Sequence, residues 1–173
     1  MSIRDEIKKH LDKRLFVLPP LLPSYGHVRT IVVSQEVWDA VQFPFSENWD
    51  GHRLSQFRET LDHFTLNGEL SVAEAPRKKP SWAYMARVEP ISSRFWDIRS
   101  IDPRPGVRAF GGFCERDTFV ALTWDYRENL ETEEDWKEAI QQCEKVWNDL
   151  FSPHPPFQGA RLNDYLSENF RAV

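Results

Sequence analysis

The chain has 173 residues, 40% of them hydrophobic and 28% charged, with seven Trp and twelve Phe. That length supports one domain with a real apolar core, and so many aromatic side chains, each burying a large area, argue against a disordered segment. The net charge of −5 excludes a uniformly basic nucleic-acid binder, because neutralised phosphates supply most of such a protein's affinity.

Ser2 can cap a helix over residues 2–15, in which Ile3, Ile7, Leu11 and Leu15 recur at helical spacing. Pro19, Pro20 and Pro23 then break the chain. Residues 1–23 are therefore expected to form an arm outside the core, whose removal leaves cooperative unfolding intact. Residues 24–173 are expected to form a single domain. A β-run from Val28 to Val33 leads to Ser34, an N-cap for a short helix through Val41. Residues 42–51 are irregular and aromatic, and Asp50-Gly51 signals a turn. A helix from about His52 to Leu66 shows Leu54, Phe57, Leu61 and Phe64 on one stripe, and Asn67-Gly68 stops it. Glu69 to Ala75 can be a strand, and Pro76 to Pro80 is a basic loop.

From Trp82 to Asp125 the apolar period becomes two, giving strands over 82–88, 94–101, 106–113 and 118–125. Their short connections favour antiparallel neighbours in a meander. Thr132 opens a helix with Asp135 three residues on, a capping-box variant, and Trp136, Ile140, Cys143, Val146 or Trp147, and Leu150 line its buried face. A last short helix is expected over about 160–170. The sum is an α+β fold: an antiparallel meander of about four to five strands, with N-terminal and C-terminal helices packed on one face.

Charge is segmental. Residues 1–76 carry −3, residues 77–116 carry +5, and residues 117–173 carry −7. The positive segment holds Arg77, Lys78 and Lys79 in the basic loop, then Arg87, Arg94, Arg99, Arg104, Arg108 and Arg116. Alternation places Arg99 and Arg108 on single faces of successive strands. If they project the same way, they form a fork for phosphate oxygens, which the planar guanidinium grips bidentately. The alternative is that these arginines pair with Asp97, Asp102, Glu115 and the acidic C-terminal helix. Cys114 and Cys143 are far apart in sequence and are expected to be reduced. Six tryptophans, Trp49, Trp82, Trp96, Trp124, Trp136 and Trp147, are expected mostly in the core. Trp38 with Phe43-Pro44-Phe45 suits an exposed partner-binding patch.

The run Phe95-Trp96-Asp97-Ile98-Arg99 resembles the aromatic-acidic-aliphatic-arginine strand of RelE/HigB-type toxins, in the phage-derived Gp49-like branch. Val107-Arg108-Ala109-Phe110 resembles that family's arginine-bearing strand. Asp117 to Leu122 resembles the strand after its tight turn, and Thr132 to Leu150 sits where the family has a helix. The resemblance spans roughly residues 52–150. It implies a metal-independent endoribonuclease acting on messenger RNA, often in the ribosome, cytoplasmic, without cofactor, and partnered by an antitoxin or another protein. The alternative on the same scaffold is a non-catalytic protein-binding member. Arg99 and Arg108 are the functional arginines carried across. Where the family has two lysines past the last strand, this chain has Tyr126-Arg127-Glu128-Asn129.

Cleavage without a metal needs a base for the 2′-hydroxyl, an acid for the leaving oxygen and cations for the phosphate. The candidates are Arg99 and Arg108 as cations, Tyr126 as acid, and His154 or His63 as base. Arg77, Lys78, Lys79, Arg94, Arg104, Arg116 and Arg127 are the candidate RNA contacts. Packing of Tyr126 at a rim and solvation of His154 in its Pro-rich run are the structural alternatives. No apolar run approaches the roughly 20 residues of a membrane helix, and residues 3–14 lack the apolar stretch of a signal peptide.

Overall fold

The computed structural model describes residues 1–21 and 28–173. In chain order the elements are α1 (Ile3–His10), β1 (Leu15–Val17), β2 (Thr30–Ser34), α2 (Gln35–Ala40), α3 (Trp49–Thr65), β3 (Leu70–Ala73), β4 (Met85–Arg87), β5 (Trp96–Ser100), β6 (Val107–Glu115), β7 (Thr118–Tyr126), α4 (Glu133–Phe151), α5 (Leu162–Tyr165) and β8 (Phe170–Ala172). The eight strands form one sheet in the order β1-β2-β7-β6-β5-β4-β3-β8.

Strands β4 to β7 are antiparallel neighbours, but they are only the middle of the sheet. The expected meander of four to five antiparallel strands is corrected to an eight-stranded mixed sheet. β2 joins β7 in parallel, and β3 is parallel to both β4 and β8. Antiparallel hairpins announce themselves by a local turn, whereas parallel partners need a long crossover. Here they are as distant as Thr30 and Thr118, or Leu70 and Phe170.

Helices cover both faces rather than one. On the first face, Phe57, Leu61 and Phe64 of α3 pack with Trp96, Ile98, Val107, Ala109 and Phe113. On the second, Ile7 of α1 and Ile140, Cys143 and Trp147 of α4 pack with Phe110, Cys114, Val120 and Leu122. Both cysteines are free and buried in that second layer. Trp96 and Trp147 are core residues as expected, but Trp49 and Trp82 are half exposed, at 54% and 50%.

The local signals place several boundaries well. Thr132 and Asp135 form the reciprocal capping box of α4, and Ser34 accepts a hydrogen bond from the Val37 N–H to start α2. Others move. Asn48 caps α3 by accepting from the Gly51 N–H at 2.9 Å, so Asp50-Gly51 is the first turn of the helix rather than a break before it. The helix expected over 160–170 shrinks to α5. Asn169, at φ 53°, then turns the chain into β8.

The N-terminal segment is not an arm. Its helix stops at His10, and β1 pairs with β2 in the sheet. Leu15 and Leu18 are buried, Ile7 packs in the second core layer, and Arg4 and Arg14 pair with Glu115 and Asp149. Pro23 and the expected boundary between 23 and 24 lie outside the described residues.

One irregularity in the sheet positions the site. Phe110 pairs with Thr123 while its neighbour Gly111 pairs with Ala121, so β7 carries one extra residue, Leu122. Such a bulge reverses the in-out parity of everything beyond it. Phe119 and Ala121 face α3, and so do Trp124 and Tyr126 despite the change from odd to even positions.

Candidate functional site

Asp97, Arg99 and Arg108 alternate with first-face residues Trp96, Ile98, Val107 and Ala109, so all three project toward the α4 side. Arg99 and Arg108 are direct register partners on β5 and β6. Asp97 is fully buried between them, and its Oδ2 lies 3.7 Å from the Nε of each. That separation makes an ion pair but is too long for a hydrogen bond. Neither carboxylate oxygen, nor the Nε of either arginine, has a hydrogen-bond partner. Backbone carbonyls fix the guanidinium groups instead. Arg99 Nη1 donates to the Pro80 carbonyl at 2.8 Å, and Arg108 Nη1 to the Val107 and Ser100 carbonyls at 3.1 and 3.3 Å.

Arg99 forms part of the floor of an open cleft of about 820 Å³. One wall is the loop holding Arg77 and Lys79, another is the turn at Glu89, and the third is the first two turns of α4 with the preceding Arg127. Lys79 is near Asp97, Arg99 and Arg108. Burial holds its ammonium below the ordinary lysine range; Asp97 opposes that, while the two arginines reinforce it. Arg108 is pushed down to about 10, chiefly by burial, with Asp97 opposing and Arg99 and Arg127 reinforcing. Lys79, Arg99 and Arg108 thus share the carboxylate of Asp97, while Arg127 adds its charge near Arg108 and Glu89 acts on Lys79. The group carries a surplus of positive charge.

Trp136 braces this group. Its indole N–H donates to the Leu130 carbonyl at 3.0 Å, and Phe110 meets it edge-on at 5.8 Å. The Lys79 ammonium and the Arg127 guanidinium lie 5.0 and 5.8 Å from its ring centroid, within cation–π range. Arg127 Nη1 also donates to the Leu130 carbonyl at 2.6 Å.

The other candidates separate from this group. Tyr126 lies on the opposite face, under the Arg53 guanidinium at 3.9 Å, so it is not an acid for a phosphate at Arg99. His154 follows the C-terminus of α4 and its carbonyl accepts from Trp147 Nε1. The 19-residue helix places it roughly 28 Å from the cleft end. His63 packs against Tyr84 on α3. Arg77 pairs with Glu89 on the exposed rim at 2.8 Å, and Lys78 is exposed outside the cleft lining. Arg94 donates to the Pro156 carbonyl beside a different, smaller cavity. Arg104 is exposed in the β5–β6 connection, and Arg116 in the β6–β7 turn at the far end of both strands. Of the proposed partner patch, Phe43 is 63% exposed and meets Phe45 edge-on, while Trp38 is half-buried and stacks on Phe16.

Arg53 was not evident as a site residue, although it occupies the apolar stripe of α3 four residues before Phe57. Almost fully buried, it donates to both carboxylate oxygens of Glu128 at 2.7 and 2.6 Å and to the Gly106 carbonyl at 3.2 Å. It thereby pins the turn that presents Arg127. Arg53→Ala is expected to cost about 1–3 kcal/mol, because Glu128 is partly solvated and is not left as a buried orphan. It should also weaken anion binding at the cleft. Urea denaturation checks the first effect, and an unchanged midpoint would remove the clamp from the account.

Among the described residues, no cluster of three or more His, Cys, Asp or Glu side chains suited to a metal ion occurs, and no helix is long and apolar enough to cross a membrane. No family model, no curated protein and no solved structure matches this chain.

Proposed function

We propose that this protein binds RNA by seating a phosphate in the cleft at the head of α4. The observation that carries this is the cationic group at the base of an open cleft: Lys79, Arg99 and Arg127 line it, and Arg108, the register partner of Arg99, adds its charge beside them, with Asp97 as the buried carboxylate near Lys79, Arg99 and Arg108. Arginines held by backbone carbonyls lose little freedom on binding, and their remaining donors suit phosphate oxygens. The resemblance to RelE/HigB-type toxins supports RNA as the target, since of the two arginines it carries across Arg99 lines the cleft and Arg108 is its register partner. An antitoxin or other protein partner belongs to the same proposal, with Phe43 as the exposed apolar contact for it.

Binding is favoured over cleavage, because Tyr126 and His154 stand away from the floor. One observation favours cleavage: Lys79, held below the ordinary lysine range beside two arginines, is suited to take a proton from a 2′-hydroxyl.

Fluorescence anisotropy with a labelled 12-nucleotide RNA tests both. The wild type is expected to bind, and Arg99→Gln or Arg108→Gln to bind roughly tenfold to a hundredfold more weakly, the usual effect of losing a hydrogen bond to a charged group. Affinity should fall as pH rises into the alkaline range, and earlier than for an ordinary lysine, because Lys79 then loses its charge. Equal binding by wild type and both variants, with all three folded, would overturn the proposal. RNA fragments appearing with wild type but not with Lys79→Met would establish cleavage.

A further inference from the structure

The cleft has two kinds of wall. Its floor is cationic, but its mouth is acidic: Glu89, Glu131, Glu133 and Glu134 line it. The two cations at that level are already engaged, Arg77 with Glu89 and Lys137 with Glu134 at 3.6 Å. Among the described residues, Lys78 and Arg104 are exposed but do not line the cleft, and Arg94 and Arg116 lie at other ends of the sheet. A strand threaded through the cleft would put one phosphate on the floor and its neighbours against carboxylates. The floor groups, by contrast, hold more positive charge than a phosphodiester monoanion can neutralise. The Nε atoms of Arg99 and Arg108 face Asp97 at 3.7 Å without a hydrogen bond, so one carboxylate does not neutralise the two guanidinium charges.

We propose that the cleft selects a terminal phosphate monoester of a nucleotide or of an RNA end, and rejects internal phosphodiesters. This rests on the phosphate-binding role given above. A monoester carries up to two charges with three acceptor oxygens, enough to engage Lys79, Arg99 and Arg127, which line the cleft, with the charge of Arg108 close by. It presents them at the tip of the ligand, so that no second phosphate need cross the acidic mouth. Trp136, braced beside Lys79 and Arg127, reports the arrival of such an anion.

The experiment compares three probes on the full chain: a 3′-labelled 12-nucleotide RNA with a 5′-phosphate, the same RNA with a 5′-hydroxyl, and adenosine monophosphate as competitor. The phosphorylated RNA is expected to bind at least tenfold tighter than the hydroxyl-ended one. The gap should widen between pH 5 and 7.5, as the second phosphate ionisation near pH 6 completes the dianion. Its salt dependence should be shallow, the slope of log affinity against log salt corresponding to roughly one or two neutralised phosphates. Competition by adenosine monophosphate at matching affinity assigns the site to the nucleotide. Weak competition assigns it to the strand end. The double change Glu133→Gln with Glu134→Gln is expected to tighten the hydroxyl-ended RNA several-fold and narrow the gap. Thr132 and Asp135 still cap α4 in that variant. Equal binding of the two RNAs, or no gain by the double variant, overturns selection of a terminal phosphate while RNA binding stands. Failure of both RNAs and of inorganic phosphate to bind overturns the role on which it rests.

Discussion

Replacing Asp97 by asparagine is expected to weaken the fold and strengthen phosphate binding in the same molecule. The carboxylate is wholly buried and faces Arg99 and Arg108 at 3.7 Å each, with Lys79 close by. Asparagine keeps the shape but removes the buried negative charge that these cations share. Breaking a buried ion pair from one side typically costs about 3–5 kcal/mol, a large share of the roughly 5–15 kcal/mol that holds a domain together. The same change leaves the site more positive, so an anion gains what the fold loses. Phosphate at about a hundred times its dissociation constant should return roughly 2.7 kcal/mol. Chemical denaturation of Asp97→Asn with and without phosphate reads both effects. An unchanged midpoint would show that the arginines are not held by Asp97. A midpoint that falls but does not recover with phosphate would separate the buried cluster from any anion site.

Removing residues 1–18 is expected to abolish cooperative unfolding. Ile7, Leu15 and Leu18 are each more than nine-tenths buried, and burying such a side chain is worth about 1.5–3 kcal/mol. Together they approach the whole stability of a domain. The loss also strips β1 from β2, leaving backbone donors and acceptors unpaired along a hydrophobic edge, an invitation to aggregation. Circular dichroism melts and size exclusion of the truncated chain check this. A sharp transition at an unaltered temperature would restore the view of this segment as an appendage.

How far the sequence discloses this molecule depends on how local each signal is. The cap of α4 involves Thr132 and Asp135, three residues apart, and was legible. The pairing of Arg99 with Arg108 follows from alternation across a short connection, and was legible as a possibility. The parallel partners of β2 and β3 are not, because nothing near Thr30 points to Thr118. Tyr126, weighed as an acid against packing at a rim, faces α3 for a subtler reason. Unbroken alternation would place it with Val120 and Leu122 on the α4 face, and the extra residue in β7 turns it over. A signal for that did exist. Two adjacent glycines inside a strand mark a bulge or a close backbone approach. A Cβ on Gly111 would lie 1.9 Å from the Val120 carbonyl oxygen. The convergence of Lys79 and Arg127 on the same cleft depends on two separate loops and leaves no pattern in the chain.

The sheet order has a kinetic meaning. β6 and β7 are joined by a tight turn and can zip together as soon as both exist. β2, made early, must wait for β7, 88 residues later from Thr30 to Thr118, and although β3 pairs early with β4, its other edge waits for β8, 100 residues later from Leu70 to Phe170. Pairings of such long range are slow because the loop between them must close before any contact rewards it. The segment bearing α3 therefore spends part of its life with an apolar stripe and an open strand edge and nothing to cover them. The arrival of β7 beside β2 is the step that covers this edge.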